Sequence, residues 1–202
     1  MRQKEFGIFK EIIEKHQPLR CLEWGAGYST LYFSKLLPLA APSGTQRHPA
    51  AVWHAVEHDS DWANRLIRMN QDPIVHIHQI PPNNPLWSGD GSREDFEQYL
   101  NYPQQYAPFD LVIIDGRSRK ACLKTAHSLL SDRGVVILHD ANRAAYHEGF
   151  SRYKYGKLFK DYHLGNGGVW VGSNNVPLEE VLNVASQEQL WNAYERLVGW
   201  MH

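Results

Sequence analysis

Four carboxylates each close a short apolar run: Glu23 after "LRCL", Glu57 after "VWHAV", Asp115 after "LVII" and Asp140 after "VVILH". If those runs are parallel strands, the acids gather on the rim where ligands bind, outside the carboxyl ends of the strands. Directly after the first acid, Gly25 and Gly27 allow a sharp turn and a close approach of the backbone to a ligand. Ser29 and Thr30 then suit the cap of a helix whose first N–H groups lie near the bound molecule. The combination describes a pocket for a nucleotide-like cofactor.

Reaction chemistry is offered by "DGRSRK" from Asp115 and "HDANR" from His139. Asp115 and Asp140 end adjacent strands and are candidates for catalysis. His139, with an ordinary pKa near neutrality, is a candidate base; the alternative is a histidine on the far face of its strand, bonded to a backbone carbonyl. Arg117, Arg119 and Arg143 flank the acids, where they either neutralise them or grip an anionic acceptor such as a carboxylate. Trp87, Tyr99, Tyr102, Tyr106 and Tyr146 lie in or near loops that could wall an acceptor site or simply pack.

Two cofactors compete for the glycine turn. A dinucleotide fingerprint needs a third glycine, and that position is Thr30. Glu23 would also stand beside a pyrophosphate, which is electrostatically unfavourable. A cofactor with an ammonium, a sulfonium and no phosphate meets no such objection. Tyr153 and Lys157 have the YxxxK spacing of short-chain dehydrogenases, but Gly156 between them weakens the helix that pair requires.

The elements that must position these groups follow from periodicity. Phe6, Phe9, Ile12 and Ile13 predict an opening amphipathic helix that Pro18 ends. Strand-like runs begin at Leu19, Val52, Ile74, Asp110 and Gly134, and helical patterns separate most of them. Alternation of this kind predicts an α/β fold with a mainly parallel sheet covered on both faces. Around "GNGG" from Gly165 two further strand-like segments predict an antiparallel hairpin at the sheet edge, and a helical tail follows from Leu178 to Trp200. Residues 38–51, rich in Pro, Ala, Ser and Gly, read as a surface insertion.

The bulk numbers agree with one domain over residues 1–202. The chain is 43% hydrophobic and 21% charged, with a formal net charge of -1 and no run of five like charges, so nucleic acid and anionic membrane are not expected partners. Cys21 and Cys122 show no metal or disulfide spacing and read as buried thiols. The charged N-terminal segment has no signal-peptide core, and a cytoplasmic location is expected.

With these elements in order, "LEWGAGYS" resembles the E/DxGxG motif of class I S-adenosylmethionine-dependent methyltransferases, and "AVEHD" their second motif. "FDLVIIDG" and "LLSDRGVVILHD" are similar to the motifs of their fourth and fifth strands. The resemblance implies a seven-stranded Rossmann-like sheet whose last two strands form the antiparallel hairpin. It implies S-adenosylmethionine as cofactor, with Glu23, Gly25, Gly27, Tyr28 and Ser29 around the methionine part. Glu57 would hold the ribose hydroxyls, with His58 and Gln79 near the adenine. In catechol-type relatives of the family, acids after the fourth and fifth strands bind Mg²⁺; here Asp115, Asp140 and Asn142 are the corresponding candidates, although one residue separates the last two. The expected reaction is methyl transfer to a hydroxyl of a small molecule or sugar. A nicotinamide oxidoreductase and a non-catalytic S-adenosylmethionine-binding module are the alternatives. The N-terminal helix and the C-terminal helix with Trp191, Trp200 and Met201 could expose an apolar face for a homodimer.

Overall fold

The computed structural model describes residues 2–38, 48–162 and 165–199. Seven strands form one sheet in the order β3-β2-β1-β4-β5-β7-β6: β1 Arg20–Trp24, β2 Val52–Glu57, β3 Val75–Gln79, β4 Phe109–Ile114, β5 Leu130–His139, β6 Tyr155–Phe159 and β7 Val169–Ser173. The first five pair in parallel, whereas β7 runs antiparallel between β5 and β6. This is the α/β, mainly parallel sheet with an edge hairpin that the periodicity predicted, in the seven-stranded Rossmann-like form that the resemblance implied.

Side-chain alternation divides the core in two. On one face Cys21, Leu111, Ile113, Val135 and Ile137 pack with Ile8, Phe9 and Ile12 of helix α1 (Gln3–His16) and with Phe33 of α2 (Tyr28–Phe33). Leu66 of α3 (Ser60–Met69) joins the same layer. The other face carries Leu22, Val112, Ile114, Val136 and Leu138 against Tyr99 and Leu100 of α4 (Glu97–Asn101) and Cys122 and Leu123 of α5 (Arg119–Leu129). Both cysteines are free and buried.

The helices are more broken than the periodicity suggested. The pattern from Arg93 to Leu100 becomes a 3-10 turn, Glu94–Phe96, the short α4, and a second 3-10 turn, Tyr102–Tyr106. Pro103 is the second residue of the third piece, where its fixed φ suits a helix start. The tail divides into α6 (Leu178–Val181) and α7 (Val184–Gly199). Trp191, expected on an exposed apolar face, is buried: it donates to the Lys160 carbonyl and lies beneath the Lys4 ammonium. Trp200, Met201 and most of the 38–51 insertion (39–47) lie outside the described residues. No helix among the described residues is long and apolar enough to cross a membrane.

Candidate active site

A cavity of about 370 Å³ opens at the carboxyl ends of β1, β2 and β4, within the size range of small-molecule sites. Gly25, Gly27, Ser29, Glu57, His58 and Asp115 line it, together with Asp59, Trp62, Gly116, Arg117 and Arg119. Most of the residues expected around a cofactor are therefore brought together.

The turn after β1 is built on close contact between two glycines. Gly25 has φ +93, and a Cβ there would lie 2.4 Å from the Gly116 backbone. A Cβ on Gly116 would meet the Tyr99 hydroxyl at 2.2 Å and Gly25 at 2.8 Å. The turns after β1 and β4 thus touch, and hydrogen bonds from Gly25 N–H to Val56 O and from Asp115 N–H to Trp24 O fix them to neighbouring strands.

Glu23 sits behind this turn, not in the cavity. Its fully buried carboxylate accepts from Ser29 Oγ (2.7 Å), Thr30 Oγ1 (2.6 Å) and Trp53 Nε1 (3.1 Å). Burial pushes its pKa up to about 7, against the lowering effect of those bonds. Thr30, which occupies the place of a third fingerprint glycine, also accepts from Gly27 N–H. Glu23 and Thr30 together hold the turn in shape.

At the end of β2, Glu57 Oε1 accepts from the backbone N–H groups of His58 and Asp59, both at 2.8 Å. His58 Nδ1 stands 2.6 Å from the same oxygen. These contacts orient the carboxylate and leave Oε2 without a partner among the described residues. Asp59 caps α3 by accepting from Trp62 N–H, and Trp62 donates its indole N–H to Ala26 O, so the far wall is tied to the glycine turn. The His58 ring meets Trp87 and Phe96 edge-on. Tyr28 is exposed and edge-on to Trp62, and Gln79, at the exposed end of β3, does not line the cavity.

The fourth and fifth strand ends form a charged network. In the register of β4 and β5, Asp115 and His139 point to the same face, and His139 Nδ1 lies 2.8 Å from Asp115 Oδ1. The other ring nitrogen lies 3.1 Å from Glu5 Oε2 on α1. Burial alone would lower the His139 pKa, but the bonds to Asp115 and Glu5, with the charges of Asp115 and Asp140, raise it to about 9. With its pKa raised and both nitrogens engaged, His139 is placed as the charged partner of Asp115 and Glu5 more than as a free base. Burial also pushes the Asp115 carboxyl up, and His139 and Arg119 outweigh it, holding the group below the usual aspartate range.

Asp140, in a left-handed conformation (φ 57), takes Arg119 Nη1 at 2.9 Å. Arg119 further donates to the carbonyls of Asp115, Gly116 and His139, so its guanidinium clamps the strand ends and is not available to an acceptor. Asn142 turns away: its amide exchanges hydrogen bonds with the Asp161 backbone. The expected Mg²⁺ set does not fit this arrangement, because Asn142 is engaged elsewhere and two cations occupy the space between the acids. Among the described residues no three acidic, histidine or cysteine side chains converge as metal ligands. Nor is the YxxxK pair assembled, since Tyr153 donates to Leu123 O and Lys157 lies in β6 paired with Glu188.

Glu5, Asp59, Trp62 and Gly116 are the residues sequence reasoning missed. Asp59 had a signal, an N-cap acid three residues before Trp62. Glu5 had none, since it reaches His139 across 134 positions.

Comparison with solved structures gives the fold a class. The O-methyltransferase TomG from Streptomyces achromogenes, in complex with S-adenosylmethionine, is 19% identical with a TM-score of 0.54, covering 85% of this chain and 80% of its own. An O-methyltransferase from Bacillus cereus, in complex with S-adenosylhomocysteine, gives 14%, 0.60, 86% and 82%. A methyltransferase-like protein from Silicibacter pomeroyi gives 16%, 0.58, 93% and 95%. The chain has the Rossmann-like fold of the class I S-adenosylmethionine-dependent methyltransferases. No family model and no curated protein matches its sequence.

Proposed function

We propose that this protein binds S-adenosylmethionine in the cavity beside Gly25 and transfers its methyl group to a hydroxyl of a small molecule or sugar. The observation that carries the proposal is the Glu57 carboxylate, held through Oε1 by two backbone N–H groups and lining a cavity that also holds Asp115 and the glycine turn. An acid with one unoccupied oxygen suits a ribose hydroxyl. A dinucleotide would have to place its pyrophosphate at a turn that lacks the third glycine and is backed by Glu23. S-adenosylmethionine supplies an electrophilic methyl on a sulfonium, for in-line displacement by the acceptor oxygen.

Asp115 then has a defined task. His139 and Arg119 approach its Oδ1, and Oδ2 takes no bond among the described residues. As the O–C bond forms, the acceptor hydroxyl becomes strongly acidic, so even a carboxylate held below its usual pKa takes the proton. Asp140 and His139 position Asp115 and do not face the cavity.

Calorimetry with S-adenosylhomocysteine and NAD side by side tests the cofactor, and preferential binding of NAD would replace this reading with the oxidoreductase. Asp115→Asn should bind S-adenosylhomocysteine nearly as the parent does while turnover falls about 10²–10⁴-fold. Full turnover by that variant on an identified acceptor would remove Asp115 from the chemistry. If a broad screen of hydroxylated metabolites and sugars yields no methylated product, the non-catalytic binding module replaces the enzyme.

A further inference from the structure

One cation of the cavity is left over after the ion pairs are assigned. Arg119 is saturated by the strand ends, His139 lies behind Asp115, and each cavity acid already has a partner: Glu57 its backbone N–H groups, Asp59 the start of α3, Asp115 the imidazolium. Arg117 lines the same cavity with its guanidinium 5.0 Å from the centre of the Trp87 ring, and no carboxylate pairs with it among the described residues. A guanidinium stacked on an indole keeps its planar edge free for two parallel N–H···O bonds.

The backbone that carries Arg117 is held rigidly. Ser118 adopts φ 52, a conformation uncommon for serine, and the neighbouring loop imposes it. Ser118 N–H donates to Asp90 O, Ser118 Oγ to Ser92 O, and Arg119 N–H to Asp90 Oδ2. These bonds fix the backbone from which the Arg117 side chain reaches Trp87 and the cavity.

We propose that Arg117, stacked on Trp87, is the cavity's receptor for a carboxylate. The proposal rests on the methyltransferase reading for the two sources of that group: the amino-acid tail of the cofactor, or an acceptor bearing a carboxylate as well as its hydroxyl. In the second case Asp115 and Arg117, two residues apart, address the hydroxyl and the carboxylate of one hydroxy acid.

Two matched ligand pairs test it by calorimetry on the wild type, Arg117→Ala and Arg117→Lys, each checked for an unchanged thermal midpoint. The first pair is S-adenosylhomocysteine and 5′-methylthioadenosine, which lacks the amino-acid tail. The second, added to protein saturated with S-adenosylhomocysteine, is 4-hydroxybenzoate and its neutral amide, 4-hydroxybenzamide. Loss of about tenfold or more in S-adenosylhomocysteine affinity in Arg117→Ala, with methylthioadenosine unaffected, assigns Arg117 to the cofactor tail. Unchanged binding of both nucleosides, with loss of a wild-type preference for the benzoate over the amide, assigns it to the acceptor. Arg117→Lys should fall between, keeping the charge and losing the fork. Wild-type and alanine proteins that treat all four ligands alike would overturn the proposal. If the wild type binds neither nucleoside, the methyltransferase reading fails by itself, and the benzoate and amide, added to unliganded protein, still decide the role of Arg117.

Discussion

At the scale of single residues, the charge of His139 governs the pH response of the rim. Its folded pKa of about 9 lies above the unfolded value of about 6.5. The imidazolium therefore contributes its full stabilisation below about pH 6.5, and that contribution disappears as pH rises through about 9. The difference corresponds to roughly 3 kcal/mol, counted once for the whole Glu5–His139–Asp115 chain. Urea denaturation at pH 6 and pH 9.5 should show this decline in the wild type and a flatter profile in His139→Gln; parallel profiles would mean that folding leaves the histidine's pKa unchanged. Glu57 belongs to the same scale. Glu57→Ala should weaken S-adenosylhomocysteine binding by about 1–3 kcal/mol in a folded protein, through loss of a charge-assisted ribose contact. Unaltered affinity would end the ribose assignment.

At the scale of elements, the site depends on two turns in contact. Gly116→Ala should destabilise the protein by about 1–3 kcal/mol and reduce cofactor affinity, because the new methyl meets the Tyr99 hydroxyl and the Gly25 backbone. Adding Tyr99→Phe removes the nearer obstacle, so the double variant should recover part of the loss in a thermal melt. Additive losses would place the strain elsewhere. Much of this level was legible in the sequence. Unbroken "LVII" and "VVIL" runs marked strands buried on both faces, and the acids after them marked the rim. The contact between Gly25 and Gly116 was not legible, because it depends on how closely β1 and β4 bring their following turns together. Glu23 misled for a related reason: its place before the glycines suggested the cavity, but it points behind the turn, to Ser29, Thr30 and Trp53.

At the scale of the whole molecule, the N-terminal helix completes a network that begins on the central strands. Glu5 reaches His139, Phe9 packs edge-on to the same ring, and Arg2 and Lys4 bind Asp161. The periodicity of α1 revealed which side is buried. It could not reveal that a buried acid on that side meets a strand-end histidine, since local spacing says nothing about a partner more than a hundred residues away. Asp140 and Arg119 form an ion pair in the fold, the neutralising role among the two that the sequence left open for the arginine.

The tie between Lys4 on α1 and Glu195 on α7 makes the anchoring of the first helix depend on α7. The buried Lys4 charge is balanced by Asp161 and Glu195, and the Trp191 ring of α7 covers it. Loosening α7 therefore removes one of these carboxylates and the ring together. Helix α1 also carries Glu5, the group that settles against His139. Fraying at α7 is thus transmitted to the rim of the sheet through a helix that does not itself line the cavity.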